Sequence, residues 1–180
     1  MPARLKPFDS LVDFVTGKPV PNIGAEENRQ AVERLLVKQK GFNRGEIEVE
    51  VPIEMEVDGQ VYRSGVDLVV AVGGQRVMAF RCPAGSLGSC EREIVAAARL
   101  LDRFQIPLSV VSDGKNALVF DTLTGRLLGE GLAAIPTRAQ IQSVPLDFSP
   151  LPPERRLRES LIFRTYDRER VNAARRGGEV

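Results

Sequence analysis

The chain contains no histidine. Without an imidazole, Ser-His-Asp and Cys-His catalysis, histidine-ligated zinc and an imidazole general base are excluded together. Any chemistry must use carboxylates, amines, guanidiniums or hydroxyls. Cysteine is scarce too: Cys82 and Cys90 form no CxxC pair and no zinc pattern, and two cysteines in 180 residues make no disulfide framework. No run approaches about eighteen consecutive apolar residues, and Lys6-Pro7-Phe8-Asp9 stands where a secretory signal would need an apolar core. A soluble, cytoplasmic chain without a membrane partner is expected. A large charge imbalance is also missing, since 25 Lys and Arg face 24 Asp and Glu for a net charge of +1. There is no global basic field to attract nucleic acid, so any such contact must come from a local patch.

What is present suits one packed domain with extensions, since 43% of the residues are hydrophobic and 27% charged. Residues 1–23 carry Pro2, Pro7, Pro19 and Pro21 around a short apolar turn, Leu11-Val12-Phe14-Val15, and read as an N-terminal strap. From Glu26 to Lys40, Ala31, Val32, Leu35 and Leu36 recur at helical spacing, acids gather in the first turn and Gly41 closes the helix. Arg29 and Gln30 fit its solvent face. Ile47, Val49, Val51, Ile53, Met55 and Val57 then alternate with Glu48, Glu50, Glu54 and Glu56, predicting a half-buried strand with one apolar face and one solvated acidic face.

Asp58-Gly59 supplies a type I′ turn, Val61-Tyr62-Arg63 returns antiparallel, and a central strand follows from Val66 to Val72. Gly73-Gly74 makes a tight hairpin into the strand ending at Cys82. A helix is predicted over Leu87 to Phe104 with Ser86 or Ser89 as N-cap, then strands at 108–111, 117–121 and 126–128. This order implies an α/β class with a mixed sheet flanked by helices. Pro145, Pro150, Pro152 and Pro153 mark a stiff linker over 136–153. The tail over 154–180 intersperses Arg155, Arg156, Arg158, Arg164, Arg168, Arg170, Arg175 and Arg176 with acids. Such alternation marks a solvated helix or one that docks on a protein partner, unless its arginines meet phosphates.

Asp67 is the residue that most needs an explanation. A carboxylate within an apolar run is a poor strand former and costly to bury, so it requires a partner, a cation or an exposed strand end. The Gly73-Gly74 hairpin brings it toward Ala79-Phe80-Arg81. Two readings stay open: a structural ion pair between Asp67 and Arg81, or part of a metal-and-phosphate site.

Several segments together carry a resemblance: Glu26-Glu27-Asn28-Arg29-Gln30, Leu35-Leu36-Val37, Lys40-Gly41-Phe42, Glu48-Val49-Glu50, the strands 63–70 and 77–81, and Val111-Ser112-Asp113-Gly114. Over about residues 24–131, within an expected domain of 24–135, this succession resembles the N-terminal nuclease domain of the R subunit of type I restriction enzymes. That domain belongs to the PD-(D/E)XK superfamily. The resemblance implies a restriction-endonuclease-like fold in which a helix carboxylate, a strand Asp and a Glu-x-Lys hold Mg²⁺ or Mn²⁺ and activate a water. It places Asp67 on the metal-binding Asp, with Val66 where proline is frequent, and Glu26, or Glu27 beside it, on the helix carboxylate.

The last motif departs, reading Ala79-Phe80-Arg81. Alanine supplies no ligand, and arginine keeps a positive charge for phosphate yet stays protonated at any ordinary pH. The resemblance thus implies Asp67, Glu26 and Arg81 as catalytic positions and Asp67 and Glu26 as metal ligands, with Glu91 or Glu93 as the carboxylate that could replace the missing one. A cofactor, Mg²⁺ or Mn²⁺, is expected if the centre is active, and none otherwise. Two changes in one triplet favour a catalytically impaired module that binds DNA or a protein partner. An active endonuclease with a migrated carboxylate and an interaction domain without a nucleic-acid role are the alternatives. No GxxxxGK[ST] loop appears, so ATP dependence is not expected.

Overall fold

The computed structural model describes residues 9–176, with side-chain surroundings through Asp167. The chain enters through a two-stranded antiparallel ribbon, β1 (Ser10–Val12) and β2 (Pro19–Pro21), in the region expected as a strap. Helix α1 (Glu26–Lys38) follows, with Glu26 and Glu27 in its first turn and Lys38 in its last, each favourable to the helix dipole. It ends at Lys38, two residues short of the predicted Lys40, with Gln39 as C-cap, and the chain turns away at Gly41, whose φ of 79° suits glycine.

One six-stranded sheet then forms, built in chain order from β3 (Ile47–Val57), β4 (Gln60–Val72), β5 (Gln75–Arg81), β6 (Leu108–Ser112), β7 (Ala117–Asp121) and β8 (Leu127–Glu130). Strands β5 and β6 run parallel, and the other neighbouring pairs run antiparallel. A parallel pair needs a crossover, which α2 (Glu91–Leu100) provides. The α/β class with a mixed sheet between helices is the one the sequence predicts.

Both predicted glycine turns form with left-handed backbone: Asp58 and Gly59 at φ 54° and 73°, Gly73 and Gly74 at 61° and 81°. Other details differ. The return strand and central strand are continuous through Gly65 as β4. The helix predicted over 87–104 is a 3-10 turn at Leu87–Cys90 followed by α2, which ends at Leu100, and neither Ser86 nor Ser89 caps α2, whose N-cap is Cys90. The proline-rich stretch expected as a linker contains α3 (Arg138–Ser143), capped reciprocally by Thr137 and Gln140.

Two apolar cores lie on the two faces of the sheet. One gathers Val32, Leu35 and Leu36 of α1 and Ile141 of α3 with Leu68, Val70, Met78 and Phe80. The other gathers Ile94, Ala97 and Ala98 of α2 with Val66, Val69 and Ala79, and it includes Phe163 of α4 (Pro153–Arg176). Phe163 is fully buried and meets the Tyr62 ring edge-on. The tail therefore folds back on the sheet; Arg168, Arg170, Arg175 and Arg176 lie beyond the residues whose side chains are described.

The predicted single apolar face of β3 breaks in the middle. Val51, Ile53, Met55 and Val57 enter the α2 side, whereas Ile47 enters the α1 side and Val49 packs against it. In a regular pleat Val49 and Val51 would share a face. Across the ladder the same inversion separates Val66 from Leu68. The break falls at Glu50, whose φ is 52°, a conformation that costs a non-glycine residue about 1–3 kcal/mol. Glu50 and Asp67 lie between the registered pairs Val49–Leu68 and Val51–Val66, so the inversion is centred on the two acids.

Candidate functional site

At this inversion a cleft of about 200 Å³ opens, lined by Ile23, Ala25, Glu26, Arg29, Glu50, Asp67 and Cys82. The structure thus brings Glu26 and Asp67 to one place. It adds Glu50, which the alternation assigned to a solvated acidic row. Glu50 is exposed as that row predicts, but it also borders the cleft. Alternation alone cannot reveal this, because the pleat inverts at Glu50 itself.

Both oxygens of Asp67 are already bonded. Oδ1 accepts from Arg81 Nη1 at 2.9 Å, and Oδ2 accepts from the Cys82 backbone N–H at 2.6 Å. Arg81 is the bulkiest fully buried side chain among the described residues. Its Nη2 donates to the Gly65 carbonyl at 3.0 Å and to Glu93 Oε1 at 2.5 Å, while its Nε has no partner. Burial disfavours the guanidinium charge, but Asp67, Glu93 and Asp167 more than compensate, and its pKa is raised. Asp167 of α4 accepts hydrogen bonds from Tyr62 and from Ser64, which ties the tail to the same cluster.

The two carboxylates considered as replacements part ways. Glu93 reaches Arg81, whereas Glu91 lines a different cleft between α2 and α4, beside Arg92, Arg155 and Arg158. Ala79, where the motif would carry Glu, is fully buried in the α2-side core. Among the described residues no group of three or more Asp, Glu, Cys or His side chains is arranged to hold a metal ion. With both Asp67 oxygens already accepting hydrogen bonds, a guanidinium beside it and no third ligand gathered around it, these residues do not fit the divalent cation that the resemblance implies.

The model of the type I restriction enzyme R protein N terminus matches residues 24–136, more than half of the chain. The chain belongs to this family. No curated protein and no solved structure matches it. The family match stops short of α4, so the helix that carries Phe163 and Asp167 lies outside the span the R-protein N-terminal family describes.

In this R-protein N-terminal domain a second buried arginine adjoins the cleft. Arg29 and Gln30, expected on the solvent face of α1, are buried, because the β1–β2 ribbon covers them. Arg29 Nη1 meets Asp13 of the ribbon at 2.8 Å and Glu33 at 3.0 Å, and its Nη2 meets Glu26 at 2.6 Å. Gln30 accepts from the Phe14 N–H, and Glu33 accepts from the Val15 N–H. Glu26, the helix carboxylate, is therefore bonded to Arg29 and Gln30. Burial, assisted by the negative charge of Asp13, pushes the Glu33 carboxyl up to about 7 in spite of Arg29. Burial likewise pushes the Cys82 thiol up, which keeps it protonated and unreactive. Cys90 is also buried and free. No helix among the described residues is long and apolar enough to cross a membrane.

Proposed function

We propose that this R-protein N-terminal domain is a PD-(D/E)XK-type module whose metal-dependent nuclease chemistry is lost and which acts in binding nucleic acid or a partner. The observation that carries this reading is the bonding of Asp67: one oxygen to the buried Arg81, the other to a backbone N–H. A cation fixed within the protein takes the place of an exchangeable one. Arg81 cannot accept a proton at any ordinary pH, so it cannot serve as the base that a lysine supplies at this place in the superfamily. Its partner Glu93 is consumed in neutralising it. Adding Glu at position 79 would place a new carboxylate in a full apolar core.

Titration calorimetry with Mn²⁺ and Mg²⁺ tests this. Wild-type protein is expected to give no binding heat at millimolar metal and to leave supercoiled plasmid DNA intact. Binding heat that vanishes in Asp67→Asn, together with plasmid nicking, would sink the proposal. One observation favours a second reading, an active endonuclease with a rebuilt centre: Glu26, Glu50 and Asp67 line a single cleft. Under that reading Glu50→Gln also abolishes the metal signal.

A further inference from the structure

Away from the cleft, three cations converge on one aromatic ring. The Arg44 guanidinium carbon lies 4.3 Å from the centre of the Phe14 ring, and the Arg34 guanidinium carbon and Lys38 Nζ each lie 5.6 Å from it. Arg34 and Lys38 stand one turn apart on α1, and Arg44 opens the 3-10 turn Arg44–Glu46 that follows. All three are exposed, and none has an ion pair with an acid among the described residues. This sets them apart from Arg29, Arg63, Arg76, Arg81, Arg99 and Arg138, each matched to a carboxylate.

Phe14 is held in place from below, since its N–H donates to Gln30 and the ribbon is tied down through Asp13 and Arg29. The ring attracts each cation through its π face and draws the three charges together. No carboxylate among the described residues lies within ion-pair distance of any of the three. A protein with net charge +1 thus concentrates positive charge at one rigid place.

We infer that the Phe14, Arg34, Lys38 and Arg44 cluster is a phosphate-backbone contact for nucleic acid, distinct from the Asp67 cleft; this rests on the nucleic-acid arm of the function proposed above. Three exposed, unpaired cations on a fixed platform suit a polyanion whose charges repeat every ~3.4 Å of axis along each strand. The cleft suits it poorly: with Arg81 and Arg29 already paired, the carboxylates Glu26 and Glu50 face any phosphate that approaches. Nucleic acid is therefore placed at the C-terminal end of α1, not where a metal-loaded nuclease would grip it. Half-buried, with three cations over its ring, Phe14 organises these charges. The contact is indifferent to sequence.

The test is fluorescence anisotropy with a labelled 20-base-pair duplex and its single strand, across a salt series from 50 to 200 mM, on the full chain. Three phosphate contacts predict a slope of log K against log salt of about −2.7 on duplex, a roughly 40-fold loss of affinity over that range. The variant Arg34→Gln/Lys38→Gln/Arg44→Gln should flatten the slope by about 2.7 while its thermal melt stays that of wild type. Arg126→Gln/Arg158→Gln, which removes two exposed arginines elsewhere, should leave the slope unchanged. A triple variant that binds with wild-type slope overturns this surface and leaves the broader function standing. A wild type that binds neither form at 50 mM salt overturns the nucleic-acid arm itself, and tighter capture of polyglutamate than of duplex reassigns the surface to an acidic protein.

Discussion

Two buried arginines organise this molecule, and they use the same bonds to different ends. Arg81 sits in the middle of the sheet and joins β4, β5 and α2, with Asp167 of α4 adding its charge. Arg29 sits on α1 and fastens the entering ribbon through Asp13. Around Arg81 the carboxylates lie on separate elements, and neutral donors from Cys82, Tyr62 and Ser64 share in satisfying Asp67 and Asp167. Around Arg29 three carboxylates crowd one guanidinium, and the most buried of them, Glu33, is left short of compensation with its carboxyl near 7. The first cluster is therefore a permanent internal counter-ion, and the second can take up a proton.

The comparison can be broken most severely at Arg81. Arg81→Met leaves Asp67 and Glu93 without their shared cation, and the expected loss is about 3–5 kcal/mol of unfolding free energy, read from the urea midpoint. Adding Asp67→Asn and Glu93→Gln to Arg81→Met should recover most of that loss; no recovery would mean that Arg81 acts through packing and not charge. Arg29→Met should fall at the lower end of the same ~3–5 kcal/mol range at pH 8 and cost less at pH 5, because Glu33 can neutralise itself there. Equal losses at both pH values would contradict a protonatable centre.

A finer probe is Glu33→Gln. The folded carboxyl at about 7 lies above its ordinary 4.5, so the folded state holds an extra proton between those values. Stability from this group is complete below about pH 4.5 and is lost as pH rises through 7, by on the order of 3 kcal/mol. Asp13 works the other way in a lower window: its backbone hydrogen bonds and Arg29 outweigh burial and depress its carboxyl, so its contribution is lost as pH falls below the usual carboxylate range. Glu33→Gln should flatten the stability profile between pH 5 and 7, and a slope identical to wild type would place the titration elsewhere. The smallest effect belongs to the exposed Arg63–Glu54 pair on the outer strands, where Arg63→Gln should stay within ~0.5 kcal/mol.

Much of this was legible in the sequence, and the exceptions share a cause. Helix α1, the two glycine hairpins and the crossover between parallel β5 and β6 follow from spacing and turn chemistry, which act over a few residues. The ion pair of Asp67 with Arg81, one of the two readings the sequence leaves open, depends on a register shift at Val70 and Ala71 that the two-residue turn does not reveal; the turn alone would set Asp67 opposite Phe80. The burial of Arg29 and Gln30 was illegible because it depends on a ribbon more than ten residues upstream. The inversion at Glu50 was hidden because one left-handed residue reverses the face of every residue after it while leaving the apolar alternation intact. Helix α3 was masked by surrounding prolines, although Thr137 and Gln140 carry its capping signature.

The docking of α4 separates two meanings of the word domain. The family match ends at residue 136, yet Phe163 fills the core over α2, Glu159 pairs with Arg99, and Asp167 holds Tyr62 and Ser64. A fragment trimmed to the family boundary would expose an apolar wall and leave Arg99 without its carboxylate. The span matched by the family is shorter than the unit of folding, and an expression fragment of this protein has to respect the latter.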